Sequence, residues 1–577
     1  MDNRKYNIYF HTHTISGIII CALLYVIFFA GSFSFFKDDI TAWQKNSSFT
    51  EHRDVTPIDF NYLIDSLSTK HKLTGRDFDF SMQRHGLGTY VSMSASHDST
   101  LKVKPKKKPE GEQKRGRRRR GGDDDAQFFT YNFAQQKEVD YQAGYDMGEF
   151  LYRLHFLAQL NVIPIRLGSP FGYLLAGVVS FIFLFALITG LMLHWDKIVS
   201  NFFTFRPWAK WKTVWTDLHT ALGVIQFPFQ FIFAVTGIVL IANSFLMTPY
   251  ANYLYKGDSE KLYKDLQYSD TLKFDYTYKP LAAAFDLNAY LKDIKEKETG
   301  GEIGQVSIKN YQDDNMHVIV QLKPHADASF AGSGKTVYRV RDQKLLSATS
   351  PTTHATYIDH VKALIYHLHF GDFGGRPLRV IYFVLGVMGC VVIISGILIW
   401  LVARDKNSIP KHKRVFNFWT ANIFLAACLT MLPVTAFTMT VLLFLENPGQ
   451  DDIYHWYFYT WLALGVYFIA RRNIALTNRQ TTILSAITCF LLPLCDGIIR
   501  NNWFWNTYSR RAYDILFIDL LFLSLSIISG VVLFKVRKAQ SAPEAHPVAE
   551  PKEKRERSQN VAASTAHRPK ALKNFSE

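Results

Sequence analysis

Eight stretches of this chain are apolar for about 20 residues each, the length an α-helix needs to cross a bilayer. They fall at 8–36, 171–195, 215–247, 377–402, 416–445, 453–470, 480–499 and 513–535, the sixth being the shortest. In hydrocarbon every backbone N–H and C=O must be satisfied within the segment, which limits such runs to helices or closed barrels, and 20-residue runs to helices. The fold class expected is therefore an α-helical polytopic membrane protein of about eight spans. The mean hydropathy is near zero although 48% of residues are apolar, because long apolar runs alternate with strongly polar segments. No small-residue cleavage site follows the first run, which reads as a retained anchor.

Basic residues set the orientation. Arg4 and Lys5 precede the first span; Lys197, Arg206, Lys210 and Lys212 follow the second; Arg404, Lys406, Lys411, Lys413 and Arg414 follow the fourth; Arg471, Arg472 and Arg479 follow the sixth. Lys535, Arg537 and Lys538 follow the eighth, and the acidic turn Glu446–Asp452 lies on the other side. Both termini are then cytoplasmic, and the long polar segments 37–168 and 248–370 are extracytoplasmic. Arg500, Arg510, Arg511 and the basic run 102–120 fall on the outer side; long loops translocate largely regardless of charge. The insert 102–125 and the tail 539–577 read as disordered, and the insert's position outside the cytoplasm argues against nucleic acid as its partner. The five cysteines, Cys21, Cys390, Cys428, Cys489 and Cys495, all lie in apolar runs without a CxxC or CxxCH pattern. That excludes c-type haem attachment and zinc knuckles.

An internal repeat organises the first four spans. His13…Gly17…Gly31 in the first recurs as His219…Gly223…Gly237 in the third, both H-x3-G-x13-G. The second and fourth each follow an outer-side Leu-His, Leu154-His155 and Leu368-His369, and each ends in Thr189-Gly190…Trp195 or Ser395-Gly396…Trp400. The unit is helix, outer domain, helix, twice over. In the second outer segment, a helix at 281–297 precedes strands at 304–309, 317–322, 336–341 and 344–348; residues 57–101 and 126–139 suggest the same plan.

The topology sorts four of the 19 histidines into two pairs, His13 with His219 at the inner face and His155 with His369 at the outer. Bis-imidazole ligation of a haem needs two histidines from neighbouring helices at one depth. Gly17 and Gly223 lie one turn beyond the inner histidines on the same helix face, where a haem plane needs room. Gly31 and Gly237 lie five full turns beyond, about 27 Å along the same face, at the level of the outer pair. Small residues also mark helix packing, but the phase with histidine, repeated at identical spacing, favours a cofactor. Two b-type haems are expected, with His194 and His367 as reserve ligands. His155 stands well before its span, so its helix must be broken or surface-lying. His52, His71, His85, His97, His317, His325 and His354 read as solvated.

These motifs, with Asp217-Leu218-His219 and His367-Leu-His-Phe-Gly-Asp-Phe-Gly-Gly375, resemble those of the PepSY-associated transmembrane family over about residues 8–402. The family includes inner-membrane ferric-siderophore reductases. The resemblance implies two small α+β PepSY-like extracytoplasmic domains, at 37–168 and 248–370, in a bacterial inner membrane. It also implies haem b electron transfer to an outer ferric chelate, whose release on reduction follows because iron(II) grips hard oxygen donors less tightly. The cytoplasmic loops carry no flavin or nicotinamide fingerprint, so the electron donor would be a cytoplasmic partner or a membrane quinol. The rival reading is a membrane-anchored PepSY regulator of an extracytoplasmic protease, without redox activity. The region 403–538 extends beyond the family core. Its Asp496, Asp514 and Asp519 are either functional intramembrane acids or partners of Arg500, Arg510 or Arg511.

Overall fold

A computed structural model describes residues 2–49, 58–83, 88–99, 126–133, 136–165, 169–206, 209, 211–266, 274–297, 301–324, 329–352 and 355–541. The insert 102–125, residues 542–577 of the tail, and His52, His85, His325 and His354 lie outside them. Ala539–Ser541 continue the last helix, so the tail begins later than expected.

Along the chain, α1 (Asn3–Ser34) leads into the short α2 (Lys37–Lys45) and then α3 (Phe60–Ser68). Four strands follow: β1 (Phe78–Met82), β2 (Gly88–Met93), β3 (Gln127–Asn132) and β4 (Lys137–Asp140). Then come α4 (Met147–His155), α5 (Phe171–His194), α6 (Ile198–Phe203), α7 (Trp211–Leu254), α8 (Ser259–Asp265) and α9 (Leu287–Lys297). The second set of strands is β5 (Gly301–Lys309), β6 (His317–Pro324), β7 (Gly334–Arg339) and β8 (Lys344–Thr349). The remainder is helical: α10 (Tyr357–Phe370), α11 (Gly375–Arg404), α12 (Lys411–Leu429), α13 (Met431–Leu442), α14 (Gln450–Arg471), α15 (Ile474–Arg500), α16 (Phe504–Ser509) and α17 (Tyr513–Ser541).

Seven helical stretches are long and apolar enough to cross a membrane: Asn3–Ser34, Phe171–Phe203, Lys212–Ile241, Gly375–Arg404, Lys411–Leu442, Ile474–Arg500 and Tyr513–Lys535. The protein is a multi-pass membrane protein. The eighth expected span is α14, which is not among them: its first turn carries Asp451 and Asp452, and polar Tyr454, His455, Tyr459 and Thr460 follow. Its ends nonetheless require a crossing. At the sheet side the Gln450 N–H donates to the Gln142 carbonyl (3.0 Å), and two residues separate α14 from α15, whose Arg500 again reaches the sheet side by donating to the Trp43 carbonyl (2.8 Å). Within the fifth span the helix breaks between α12 and α13. Pro433 explains this, since its ring clashes with the carbonyl four residues back, at Leu429.

The strands of the two expected outer domains are joined. All eight strands form one antiparallel sheet, β4-β3-β2-β1-β5-β6-β7-β8. The halves fuse through β1 and β5, with Phe78 opposite Ile308 and Phe80 opposite Val306. Fusion removes two strand edges that separate domains would leave open to other chains. One face is covered by α3 and α9, whose Leu63, Leu67, Leu287, Leu291 and Ile294 meet Phe80, Val91, Val306, Val318 and Val320 in a common core. The two helix starts cap one another. Asn288 Nδ2 donates to Asp59 Oδ1 (2.7 Å) and Asn61 Nδ2 to Asp286 Oδ1 (2.7 Å), while Asn288 and Asn61 side chains accept from the Phe60 and Leu287 N–H groups. An Asp-x-Asn step thus recurs in both halves, marking the sheet as the product of the repeat. Segment 37–168 is divided: α2 and α4 pack on the membrane helices rather than on the sheet.

His71 and His317 are not solvated as expected. The His71 ring stacks on Phe129 (5.6 Å) and bonds Glu138, and buried His317 stacks on Phe274 at 3.8 Å. Alternation cannot reveal such partners because they come from other strands and loops. His97 remains half-exposed beside Asp77.

Candidate functional site

The four paired histidines meet as the repeat predicts. The His13 and His219 rings stand 6.0 Å apart between centroids, inclined at 68°; His155 and His369 are also 6.0 Å apart, inclined at 40°. A metal held by two imidazole nitrogens at about 2 Å each would put the centroids roughly 6 Å apart once the ring radii are added.

Each ring is fixed by a neighbouring helix. His13 Nδ1–H donates to the Ala186 carbonyl (2.9 Å), His219 to Val392 (2.9 Å) and His155 to Ile27 (2.8 Å). In each case that carbonyl lies four residues before a glycine: Gly190, Gly396 and Gly31. A Cβ at those glycines would meet the ring at 3.0 Å in Gly190, 3.1 Å in Gly396 and 2.5 Å in Gly31. His369 follows the rule with one change. Beside Gly237, it bonds Thr236 Oγ1 (2.8 Å), and that hydroxyl itself donates to the Ile232 carbonyl (2.6 Å), so it accepts from Nδ1–H. A carbonyl can only accept, so Nδ1 carries the proton and the Nε2 lone pair is left free. This is the tautomer and the outer bond of metal-ligating histidines.

The glycines divide into two kinds. Gly31 and Gly237, with Gly190 and Gly396, admit histidine rings, whereas a Cβ at Gly17 or Gly223 would meet nothing within 4 Å. The expected space beside the inner histidines is therefore open. On α7 the face carrying His219, Gly223 and Gly237 also carries Gln226 and Gln230, both in phase and both buried. Gln230 Nε2 donates to Gln226 Oε1 (2.8 Å), and Gln226 Nε2 has no partner among the described residues. The outer pair opens on a cavity of ≈ 2570 Å³ lined by Gly31, Phe35, Tyr152, Arg153, His155, Phe233, Gly237 and His369. That exceeds the several hundred Å³ of an ordinary small-molecule site. Open room beside glycines, free Nε2 atoms and an orphan buried donor together fit a large planar group ligated at both levels.

Local sequence explains how the outer histidines are held. Asp146 caps α4 by accepting from the Glu149 N–H (2.9 Å), and His155 ends that helix; a turn and a 3-10 segment at Ala158–Val162 then lead to α5. The expected break is present. Thr356 and Asp359 form a capping box on α10, which stops one residue beyond His369 because Gly371 is left-handed, φ +59, and its N–H returns to the His367 carbonyl. A side chain there would be strained and would strike Tyr382 at 2.8 Å.

The reserve ligands are not part of either pair. His367 points away from His369 and bonds Asp372 Oδ1 at 2.5 Å, with Phe330 against its ring. His194 lies one turn beyond Gly190, and its Nδ1 accepts from Asn201 Nδ2 (3.2 Å), which places the proton on Nε2. Sequence reasoning counted Thr236-Gly237 among the family motifs without giving Thr236 a role, and missed Gln226 and the ring-admitting role of the Gly190 and Gly396 steps. The signal was present in the repeated small-Gly steps, read there only as helix ends.

The region 403–538 resolves its acids into structural partnerships. Asp514 accepts from Ser48 Oγ (2.5 Å) and the Phe49 N–H (2.8 Å), Asp519 from Trp43 Nε1 (2.9 Å), and Asp496 from Asn502 Nδ2 (2.9 Å) while pairing with Arg500 at 3.5 Å. Arg510 reaches Asn502 rather than an aspartate. Comparison with curated proteins returns no match. The family model described as the PepSY-associated TM region matches residues 10–403, which contain both histidine pairs and the whole eight-stranded sheet. By that match, the chain belongs to the PepSY-associated TM region family.

Proposed function

We propose that the chain binds two b-type haems, one between His13 and His219 and one between His155 and His369, and passes electrons across the membrane. The acceptor is a ferric chelate, such as a ferric siderophore, on the sheet side, and the donor is a cytoplasmic protein or a quinol on the other. Haem iron supplies one-electron cycling between its ferric and ferrous states. The chain's own residues supply ligation, orientation and exclusion of water. The observation that carries this reading is the recurrent tether on four histidines, an Nδ1–H bond beside a glycine step, to a carbonyl in three and to a hydroxyl in His369, that leaves Nε2 free. A packing histidine has no need of that arrangement four times over. These acceptors, three carbonyls and the Thr236 hydroxyl, hold each ring's rotation and raise its basicity as a ligand. Phe28, Phe35 and Phe233 surround the outer level, and Ala234 and Leu24 continue the apolar wall. Basic residues flanking the spans support a cytoplasmic side opposite the sheet.

The visible spectrum of the purified protein is the test. A reducible Soret and alpha band with two haems per chain is expected. His13→Ala or His219→Ala should reduce this to one, as should His155→Ala or His369→Ala, and the remaining haem should differ between the two sets. A colourless, correctly folded preparation would end this reading and leave the non-redox regulator.

A further inference from the structure

Asp496 on α15 and Asp519 on α17 are both fully buried. They lie beneath the same residue of α2: Trp43 Nε1 donates to Asp519 Oδ1 (2.9 Å), while Arg500, one turn beyond Asp496, stacks over the Trp43 ring (5.6 Å) and donates to its carbonyl. Arg500 links the two, 3.5 Å from Asp496 and against the Trp43 ring whose Nε1 bonds Asp519. Each carboxyl uses one oxygen well and leaves the other without a hydrogen bond. Asp496 Oδ2 accepts from Asn502 and Asp519 Oδ1 from Trp43, but Asp519 Oδ2 and Asp496 Oδ1 have no hydrogen-bond partner among the described residues. Asp496 Oδ1 has only the long 3.5 Å approach of Arg500, whose two terminal nitrogens donate to the Trp43 and Gln44 carbonyls at 2.8 and 2.9 Å.

The other charged groups around this cluster have their own partners. Arg376 and Arg379 of α11 bond Asp39, one turn before Trp43 on α2; Arg510 bonds Asn502; Asp514 bonds Ser48 and the Phe49 N–H. An ionised oxygen buried with no donor is costly, and two carboxylates in one dry site cannot both ionise cheaply. A single proton converts one orphan oxygen into a donor.

We propose that Asp496 and Asp519 hold one proton between them, a buried proton-binding site at the sheet-side end of the α15–α17 pair. The site bears on α2, and α2 is joined to the histidine-bearing α4 by Lys37–Glu149 (2.5 Å), Lys45–Asp146 (3.1 Å) and Gln44 Oε1 accepting from the Met147 N–H (2.8 Å). Release of the proton adds a charge under Trp43, strengthens the Nε1–H bond to Asp519 and so changes the load on that chain of contacts. The site does not depend on haem being bound.

Infrared spectroscopy of the full-length protein tests this at neutral pH in H2O and D2O. A protonated-carboxyl carbonyl band that shifts in D2O is expected, and both D519N and D496N should lose it. Asn retains an acceptor for Trp43 and for Asn502. Where either variant fails to fold, Trp43→Phe serves instead: it removes the donor that favours ionised Asp519, so the band should survive to higher pH than in wild type. A band persisting in full in both Asn variants, or unmoved by W43F, overturns the proposal. So does a wild-type spectrum without the band, including one whose carboxylate bands respond to added sodium, which identifies a metal cation as the occupant.

Discussion

A histidine in a membrane helix acquires a role from what holds its second nitrogen. In this protein the partner is a backbone carbonyl for His13, His219 and His155 and a hydroxyl for His369. Thr236→Val keeps the shape of the side chain and removes only that acceptor. Loss of such an outer bond typically weakens metal binding about 10- to 100-fold. T236V should therefore release the His155–His369 haem on dilution or gel filtration while the inner haem stays, and Thr236→Ser should restore it. Equal retention of both haems in T236V would refute the role given to Thr236. Gly190→Val gives the mirror result, since its side chain occupies the place of the His13 ring. The in-phase histidines and glycines were legible because a helix repeats every 3.6 residues and the repeat occurs twice. Which ring each glycine admits was not legible. Gly31 is filled by a histidine 124 positions later in the chain, brought back by α4, and periodicity along one helix carries no information about a partner so distant.

At the scale of elements, α4 is the critical support, since it carries His155 outside any span. It is clamped to α2, and Gly148 lets the backbones approach so closely that a Cβ would strike the Lys37 carbonyl. Burial alone would raise the Glu149 carboxyl, but Lys37 at 2.5 Å, with Tyr141 and Arg153, holds it at about 2. A folded value below the unfolded one, about 4.3, means that the clamp contributes fully above that pH and is lost as pH falls towards 2. The shift corresponds to roughly 3 kcal/mol. Glu149→Gln should lower the melting temperature at pH 7 and lose the outer haem first, and its deficit relative to wild type should shrink below about pH 4.5. A deficit that stays constant to about pH 3 would show that Glu149 acts by shape alone. The spans and the strands of the second half were readable from pattern. The fusion of β1 with β5 was not, because antiparallel pairing between segments more than 200 residues apart leaves no local trace. The α14 segment was readable only as a weak run; it packs on α12 and α13, with Trp461 Nε1 donating to the Ala427 carbonyl at 2.7 Å.

Across the whole molecule, the two histidine levels are joined by α1 and α7. Both helices run 18 residues from an inner histidine to the glycine beside an outer one, about 27 Å, close to the hydrocarbon thickness of a bilayer. On the proposed function the levels form a relay with one station at each end of these helices. Gln226 and Gln230 lie between them on the α7 face, where α1 places apolar Ile20 and Leu24 in phase with His13. A relay and two independent sites differ in what a one-level lesion does. In oriented proteoliposomes with a reductant confined to the side opposite the sheet and ferricyanide on the sheet side, wild type should sustain electron flow. His219→Ala should cut that flow at least tenfold, about 1.4 kcal/mol on the transfer step, although dithionite added to both sides still reduces the outer haem in full. Unchanged flow in H219A would mean that electrons reach the outer level without the inner one, and the two-station arrangement would then have to be abandoned.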